Sequence, residues 1–145
     1  VQLPVENLRF SFGDEEFEVE AEIADNTLQR VQGYMCRSEI AEGTGMWFEL
    51  PAESTNGFWM FNTYVPLDII YFDATDVAVD AVTLPPCPRL GSETDNAWRS
   101  RCASESEQFG SSKYPHLNVL ELPAGWLASQ GFNLKDAPEN VMLQR

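Results

Sequence analysis

A chain of 145 residues, 43% of them apolar, is long enough to bury a full core unaided and too apolar to stay disordered. No apolar run nears the ~20 residues that span a bilayer, which leaves out a membrane-crossing helix. With 23 acidic residues against 9 basic ones the net charge is −14, a field that repels phosphate backbones and anionic lipid, so neither nucleic acid nor an anionic membrane surface is an expected partner.

The basic residues are seven arginines and two lysines, Lys113 and Lys135. An acid-rich, lysine-poor surface stays hydrated where salt screens charge. That suits a saline habitat or an acidic lumen, and equally an ordinary soluble acidic protein. The opening Val1-Gln2-Leu3-Pro4 segment is compatible with a mature end left after processing.

The first patterned segment is a hairpin. Leu8, Phe10 and Phe12 alternate with polar residues, Gly13-Asp14 turns the chain, and Phe17, Val19, Ala21 and Ile23 alternate with Glu16, Glu18, Glu20 and Glu22. The glutamate row reads as a wet sheet face rather than a cation site. Asp25-Asn26-Thr27 offers helix caps, and Leu28, Val31 and Met35 at helical spacing predict a short helix over Thr27 to Met35. After the Gly43-Thr44-Gly45 turn, Met46, Phe48 and Leu50 mark a strand that Pro51 ends.

Phe58 to Phe61 is densely apolar, and Asn62-Thr63 interrupts it before Leu67 to Phe72. The Ile69-Ile70-Tyr71-Phe72 run predicts a central strand buried on both faces. Asp73 to Asp76 is a turn, and Val77 to Leu84 returns as the partner strand until Pro85-Pro86. From Cys87 to His116, about 30 residues show no usable periodicity, longer than a structureless loop should be, so the stretch is functional or locally pinned. Asn118 to Leu122 is a strand. A short helix is expected from Pro123 in its first turn to Gly131 as its cap, with closing strands at 132–134 and 141–143 around an Asp136-Ala137-Pro138 turn.

Three cysteines are present, Cys36, Cys87 and Cys102. The latter two flank a Ser-, Gly- and Pro-rich loop, so a Cys87–Cys102 disulfide is expected, worth about 3 kcal/mol through the unfolded state and pointing to an oxidising compartment, periplasmic or extracellular. Cys36 lies in an apolar stretch and reads as an inert core thiol. Nothing has the spacing of a zinc site, and no cofactor motif is present. Asp73, Asp76 and Asp80 lack the spacing of a calcium loop.

The blocks Gly33-Tyr34-Met35-Cys36-Arg37, Gly45-Met46-Trp47-Phe48, Phe58-Trp59-Met60-Phe61-Asn62-Thr63, Pro66-Leu67-Asp68-Ile69-Ile70 and Val119 to Trp126 occur in that order. Together they resemble the bacterial and archaeal domain of unknown function 192 family, over about Phe17 to Leu143. The resemblance implies a compact, mostly β domain with two short helices, often exported, and carries no activity. Cys36, where the family usually has a bulky apolar residue, and the long 87–116 insertion depart from the pattern.

The fold expected is therefore α+β and mainly β. One domain over residues 1–145 should hold a mostly antiparallel, partly closed barrel-like sheet, two short helices and a long disulfide-bridged loop over 87–116. Its candidate ligand site gathers Arg37, Trp59, Asn62, Thr63, Asp68 and Glu121, with Arg37 as a fork and Trp59 as a stacking face. The plainer reading makes Asn62-Thr63 a tight turn, with Asp68 and Glu121 tying down backbone amides or Arg37. Trp98, in the bridged loop, is expected to expose its indole to a partner or a sugar ring. Cys36 with His116 could make a thiol and base, although a packing or surface histidine is the simpler reading.

Three functions follow. The first is an exported, non-catalytic accessory domain that binds a small ligand, glycan or protein partner. The second is a structural subunit of an envelope or extracellular assembly. The third is a small acid–base hydrolase using Asp68 and Glu121.

Overall fold

Residues 3–109, 114–134 and 138–145 are described by the computed structural model. The alternation at the start of the chain folds as expected. β1 (Val5–Phe12) and β2 (Glu15–Ala24) form an antiparallel hairpin through Gly13, whose φ of +60° favours glycine at the turn. Phe10 lies opposite Phe17, and their rings stack at 5.1 Å. Glu16, Glu18 and Glu20 face solvent, with Arg9 reaching across the pair to Glu18 at 3.1 Å.

α1 (Thr27–Gln32) follows, capped by the Asn26 side chain, which accepts from the Gln29 amide at 2.9 Å. It is shorter than the spacing predicts, and its apolar residues stay outside: Leu28 is 83% and Val31 59% exposed. The helix and the loop after it return the chain to β3 (Thr44–Ser54), which pairs in parallel with β2, a geometry that requires a crossover. β3 passes through Pro51 by way of a register shift between Glu49 and Ser54.

β4 (Leu67–Phe72) is buried along its whole length and forms a hairpin with β5 (Ala78–Leu84). In the turn between them the Asp73 carboxylate accepts from the Thr75 and Val77 amides. β6 (His116–Pro123) inserts antiparallel between β4 and β3, and β7 (Val141–Gln144) pairs with β1. The sheet order is β5-β4-β6-β3-β2-β1-β7. Its two ends approach each other: Val77 bridges to Met142, and the Leu143 amide donates to the Asp76 carbonyl at 2.9 Å. The sheet is thus mostly antiparallel and curled into a partly closed barrel.

Side chains alternate across this sheet into two cores. Phe10, Phe17, Trp47, Ile70, Phe72, Leu120 and Leu122 fill one face, closed by Leu127 of α3 (Trp126–Ser129). Met46, Phe48, Ile69, Tyr71 and Val119 fill the other, covered by Tyr34 and by Phe61, Trp98 and Cys102.

Further expectations change in the second half of the chain. The 87–116 segment holds a 15-residue helix, α2 (Asp95–Phe109), so the described fold has three helices and not two. Among its described side chains only Trp98 and Cys102, one turn apart, are buried, a stripe too narrow to register as periodicity against the Ser, Glu and Arg residues around it. Pro123 ends β6 opposite Leu67 and does not open α3, whose N-cap is Gly125. Phe132 and Asn133 form no strand; Asp136 and Ala137 of the expected turn lie outside the described residues.

The Cys87–Cys102 disulfide is formed and pins α2 to the chain leaving β5. Trp98 is 7% exposed, not presented to solvent: its Nε1–H donates to the Cys87 carbonyl at 3.0 Å and its ring packs on Phe61 at 4.2 Å. An indole beside a disulfide excludes water from both, which is why the loop turns it inward. Cys36 moves the other way. It is exposed, with φ of +68°, because the loop after α1 turns there to bond Asn62.

Candidate functional site

The second core is incomplete where α1 and its following loop cross over it. A cavity of about 310 Å³ opens there, in the size range of small-molecule sites. Tyr34 and Met35 from the loop, Phe48 on β3, Phe58, Trp59 and Phe61 before β4, and Glu121 on β6 line it. α1 forms its lip through Arg30 and Val31. The exposure of Val31 is therefore explained by position: it borders the cavity and not the core.

Glu121 is the odd group in this lining. It projects from the middle of β6 between Leu120 and Leu122, which belong to the opposite core, and is 4% exposed. Its carboxyl has no hydrogen-bond or ion-pair partner among the described residues. Burial lifts its pKa from the ordinary glutamate value to about 8, so the group is protonated and neutral at pH 7. Tyr34 lies beside it, 2% exposed, its hydroxyl also without a partner among the described residues. Burial first, and the neighbouring Glu121 second, push the phenol well above its usual range.

Arg37 does not enter the cavity. Its guanidinium forks onto Glu22, at 2.5 and 2.8 Å, and lies 4.9 Å from the centre of the Tyr34 ring. That hydrogen bonding holds the arginine pKa above its ordinary value. Glu22 thus stands apart from the solvent-facing Glu16, Glu18 and Glu20 of β2, because it fixes the cation behind Tyr34. Arg30 is likewise engaged, with the Glu49 carbonyl at 2.9 Å and the Thr27 hydroxyl.

The remaining predicted residues divide. Trp59 and Thr63 line the cavity with Glu121. Asn62 forms the tight turn, its φ at +57°, with its side-chain amide donating to Cys36 Sγ at 3.0 Å and its Oδ1 accepting from the Tyr64 hydroxyl at 2.7 Å. Asp68 lies on the other side of the sheet. Its carboxylate accepts from the Thr83 hydroxyl at 2.6 Å and the Gly125 amide at 3.0 Å. The Asp68–Glu121 pair needed by a glycosidase-type hydrolase is therefore not assembled, because strand alternation sends the two carboxyls to opposite faces. Trp98, on α2, is buried against Phe61 and away from the cavity's ligand space.

His116, at the start of β6, is fully buried with its ring 4.5 Å from that of Tyr71, and burial lowers its pKa. With Cys36 exposed on Asn62, the two do not form a thiol–base pair. Among the described residues no group of three or more His, Cys, Asp or Glu is placed to hold a metal. Phe48, Phe58 and Phe61 read as apolar strand and cluster residues in the sequence, Tyr34 only as part of a family block, and all four join the site only in the structure. Tyr34 shares a block with Arg37, the one signal that could have marked it.

The family model DUF192, described as Uncharacterized ACR, matches residues 10–137. The chain belongs to the domain of unknown function 192 family. Two solved structures share the fold of this family member. One is a protein from Sinorhizobium meliloti 1021, provisionally described as a transcription regulator, with TM-score 0.76 and 25% identity, covering 99% of this chain and 95% of that one. The other is a protein of unknown function from Novosphingobium aromaticivorans DSM 12444, with TM-score 0.75 and 20% identity, covering 99% and 86%. No curated protein matches this DUF192 sequence.

Proposed function

We propose that this DUF192 domain is an exported, non-catalytic binding protein that takes one small, largely apolar ligand into the cavity above Glu121. One observation carries the reading: an aromatic-walled cavity lined by a carboxyl 4% exposed and by the buried Tyr34 hydroxyl, which has no hydrogen-bond partner among the described residues. A buried polar group left unpaired is costly, and the cost is recovered where a ligand supplies the missing hydrogen bond. The polar side chains of the lining are Arg30, Gln32, Tyr34, Thr63 and Glu121, which contain no nucleophile–base pair and no second carboxyl. Few polar groups and several rings suit a compact apolar ligand better than a glycan.

One observation supports export: the Cys87–Cys102 disulfide is a bond that oxidising compartments preserve. The regulator description of the S. meliloti protein is not carried over, because a net charge of −14 opposes a DNA backbone.

A fragment library screened by ligand-observed NMR tests this reading, with the wild type compared against Glu121→Leu. The leucine variant keeps the volume and removes the polar hook. Fragments that bind the wild type, shift the Trp59 fluorescence and are lost in the variant are the expected result. A screen in which no hit depends on Glu121 overturns it.

A further inference from the structure

Glu121 is a carboxyl without a counterion inside a ring-lined cavity. The arginines bordering the cavity and Tyr34 are already engaged, Arg30 on the Glu49 carbonyl and Arg37 on Glu22. Tyr34, Phe48, Phe58 and Trp59 surround the same space with aromatic surface. Ring faces attract positive charge, and a cation between rings and a carboxylate gains from both. The charge of −14 adds a field that draws cations toward the molecule and repels anions.

We propose that the ligand of this cavity is a small organic ammonium, its cationic head seated between Glu121 and the rings of Tyr34 and Trp59. The inference rests on the cavity being a ligand site and names the class of its occupant. Binding then includes one proton transfer. The Glu121 carboxyl O–H bond breaks, its electron pair stays on the oxygen, the proton goes to buffer, and the carboxylate becomes the counterion of the bound cation.

Other charged or titratable groups near Glu121 leave this step to it. Tyr34, from the loop after α1, and Tyr71, on β4, are phenols held well above their usual range. Arg30 is bonded to the Glu49 carbonyl, and Arg37 and Glu22 on β2 are tied to each other. The free domain is protonated at Glu121 below about pH 8. A permanent cation must therefore displace that proton, and its apparent affinity should rise about tenfold per pH unit until the carboxyl ionises unaided.

The test uses choline, whose charge does not titrate, and its neutral carbon isostere 3,3-dimethylbutan-1-ol. Each is titrated calorimetrically into the full chain across pH, in two buffers of different protonation enthalpy. Choline affinity should climb about tenfold per unit between pH 6 and 8 and then level, with close to one proton released per choline at the acid end. The isostere should bind at least tenfold more weakly at the plateau. Glu121→Gln should bind choline without proton release and without pH slope, and Trp59→Leu should weaken choline while keeping the slope. Equal binding of both probes with no proton release overturns the ammonium inference and leaves the cavity reading standing. Failure of choline to bind at millimolar concentration also overturns it, and the fragment screen then decides the cavity reading by itself.

Discussion

Asp68 and Glu121 sit one rung apart on hydrogen-bonded strands, where Asp68 pairs with Leu122 and Ile69 with Glu121, yet their carboxyls serve opposite faces of the sheet. The Asp68 face is structural. Its two hydrogen bonds tie β4 to the Thr83 side chain of β5 and to the Gly125 amide that starts α3. Hydrogen bonds to a charged acceptor contribute about 1.5–3 kcal/mol, so Asp68→Ala should lower the unfolding free energy by about 2–3 kcal/mol. Ligand binding at the cavity should persist in that variant. Urea unfolding and a fragment titration measure the two quantities, and a stable Asp68→Ala protein that has lost binding would refute the division of roles.

The Glu121 face predicts a pH dependence with a definite sign. Its folded pKa, about 8, lies above the unfolded glutamate value, so between about pH 4.5 and 8 the folded chain binds more protons than the unfolded one. Stability from this group is complete at the acid end of that window and is lost as the pH rises through it. The loss is on the order of a few kcal/mol, and it levels above the folded pKa. Glu121→Gln, neutral throughout, should remove this slope. Denaturation midpoints taken across the window for both proteins check it; parallel profiles would mean that Glu121 is ionised in the free fold.

These contrasts show what the sequence could reveal. Strands are legible where one face is wet, as in Phe17 to Ile23, or where both are buried, as in Ile69 to Phe72. α2 is silent because two inward residues among polar ones leave no period. Trp98 reads as exposed from its polar neighbours, when the disulfide beside it is the better guide to burial. Glu121 stands out as a candidate in the sequence, but its company depends on which strands become neighbours and on the parity of the register, neither of which a single strand contains. Phe48, Phe58 and Phe61 look like core because they are built like core, with one gap.

The bridged helix should behave as one unit. Removing the disulfide by Cys87→Ser with Cys102→Ser should cost about 3 kcal/mol, and Trp98→Ala about 3–5 kcal/mol, since both unpack α2 from Phe61. The two changes touch the same contact, so their combined cost should fall short of the sum. A double-mutant cycle by thermal or urea unfolding measures this. Thiol titration of the denatured, unreduced chain should count a single free thiol, that of Cys36. Additive costs, or three titratable thiols, would show that helix and bridge are independent or that the bridge is absent.

Gly45 joins the fold to the site. A Cβ at this position on β3 would stand 2.8 Å from the Glu121 carbonyl oxygen, 2.8 Å from Leu122 Cδ2 and 3.0 Å from Val19 Cγ1. The first of these is backbone and can yield only if β6 itself moves. Gly45→Ala should therefore cost about 1–3 kcal/mol as overpacking in the centre of the sheet. Because the obstructing atom belongs to Glu121, the displacement should also reach the cavity, weakening its ligands and moving the Glu121 titration seen by carboxyl-resolved NMR. Gly91→Ala is the control. Nothing lies within 4 Å of its Cβ position, so only the strain of its positive φ, roughly 1 kcal/mol, is expected, with the Glu121 titration unmoved. If Gly45→Ala shifts stability alone and leaves that titration where it was, β6 absorbs the methyl without disturbing the carboxyl, and the coupling between strand packing and site does not exist.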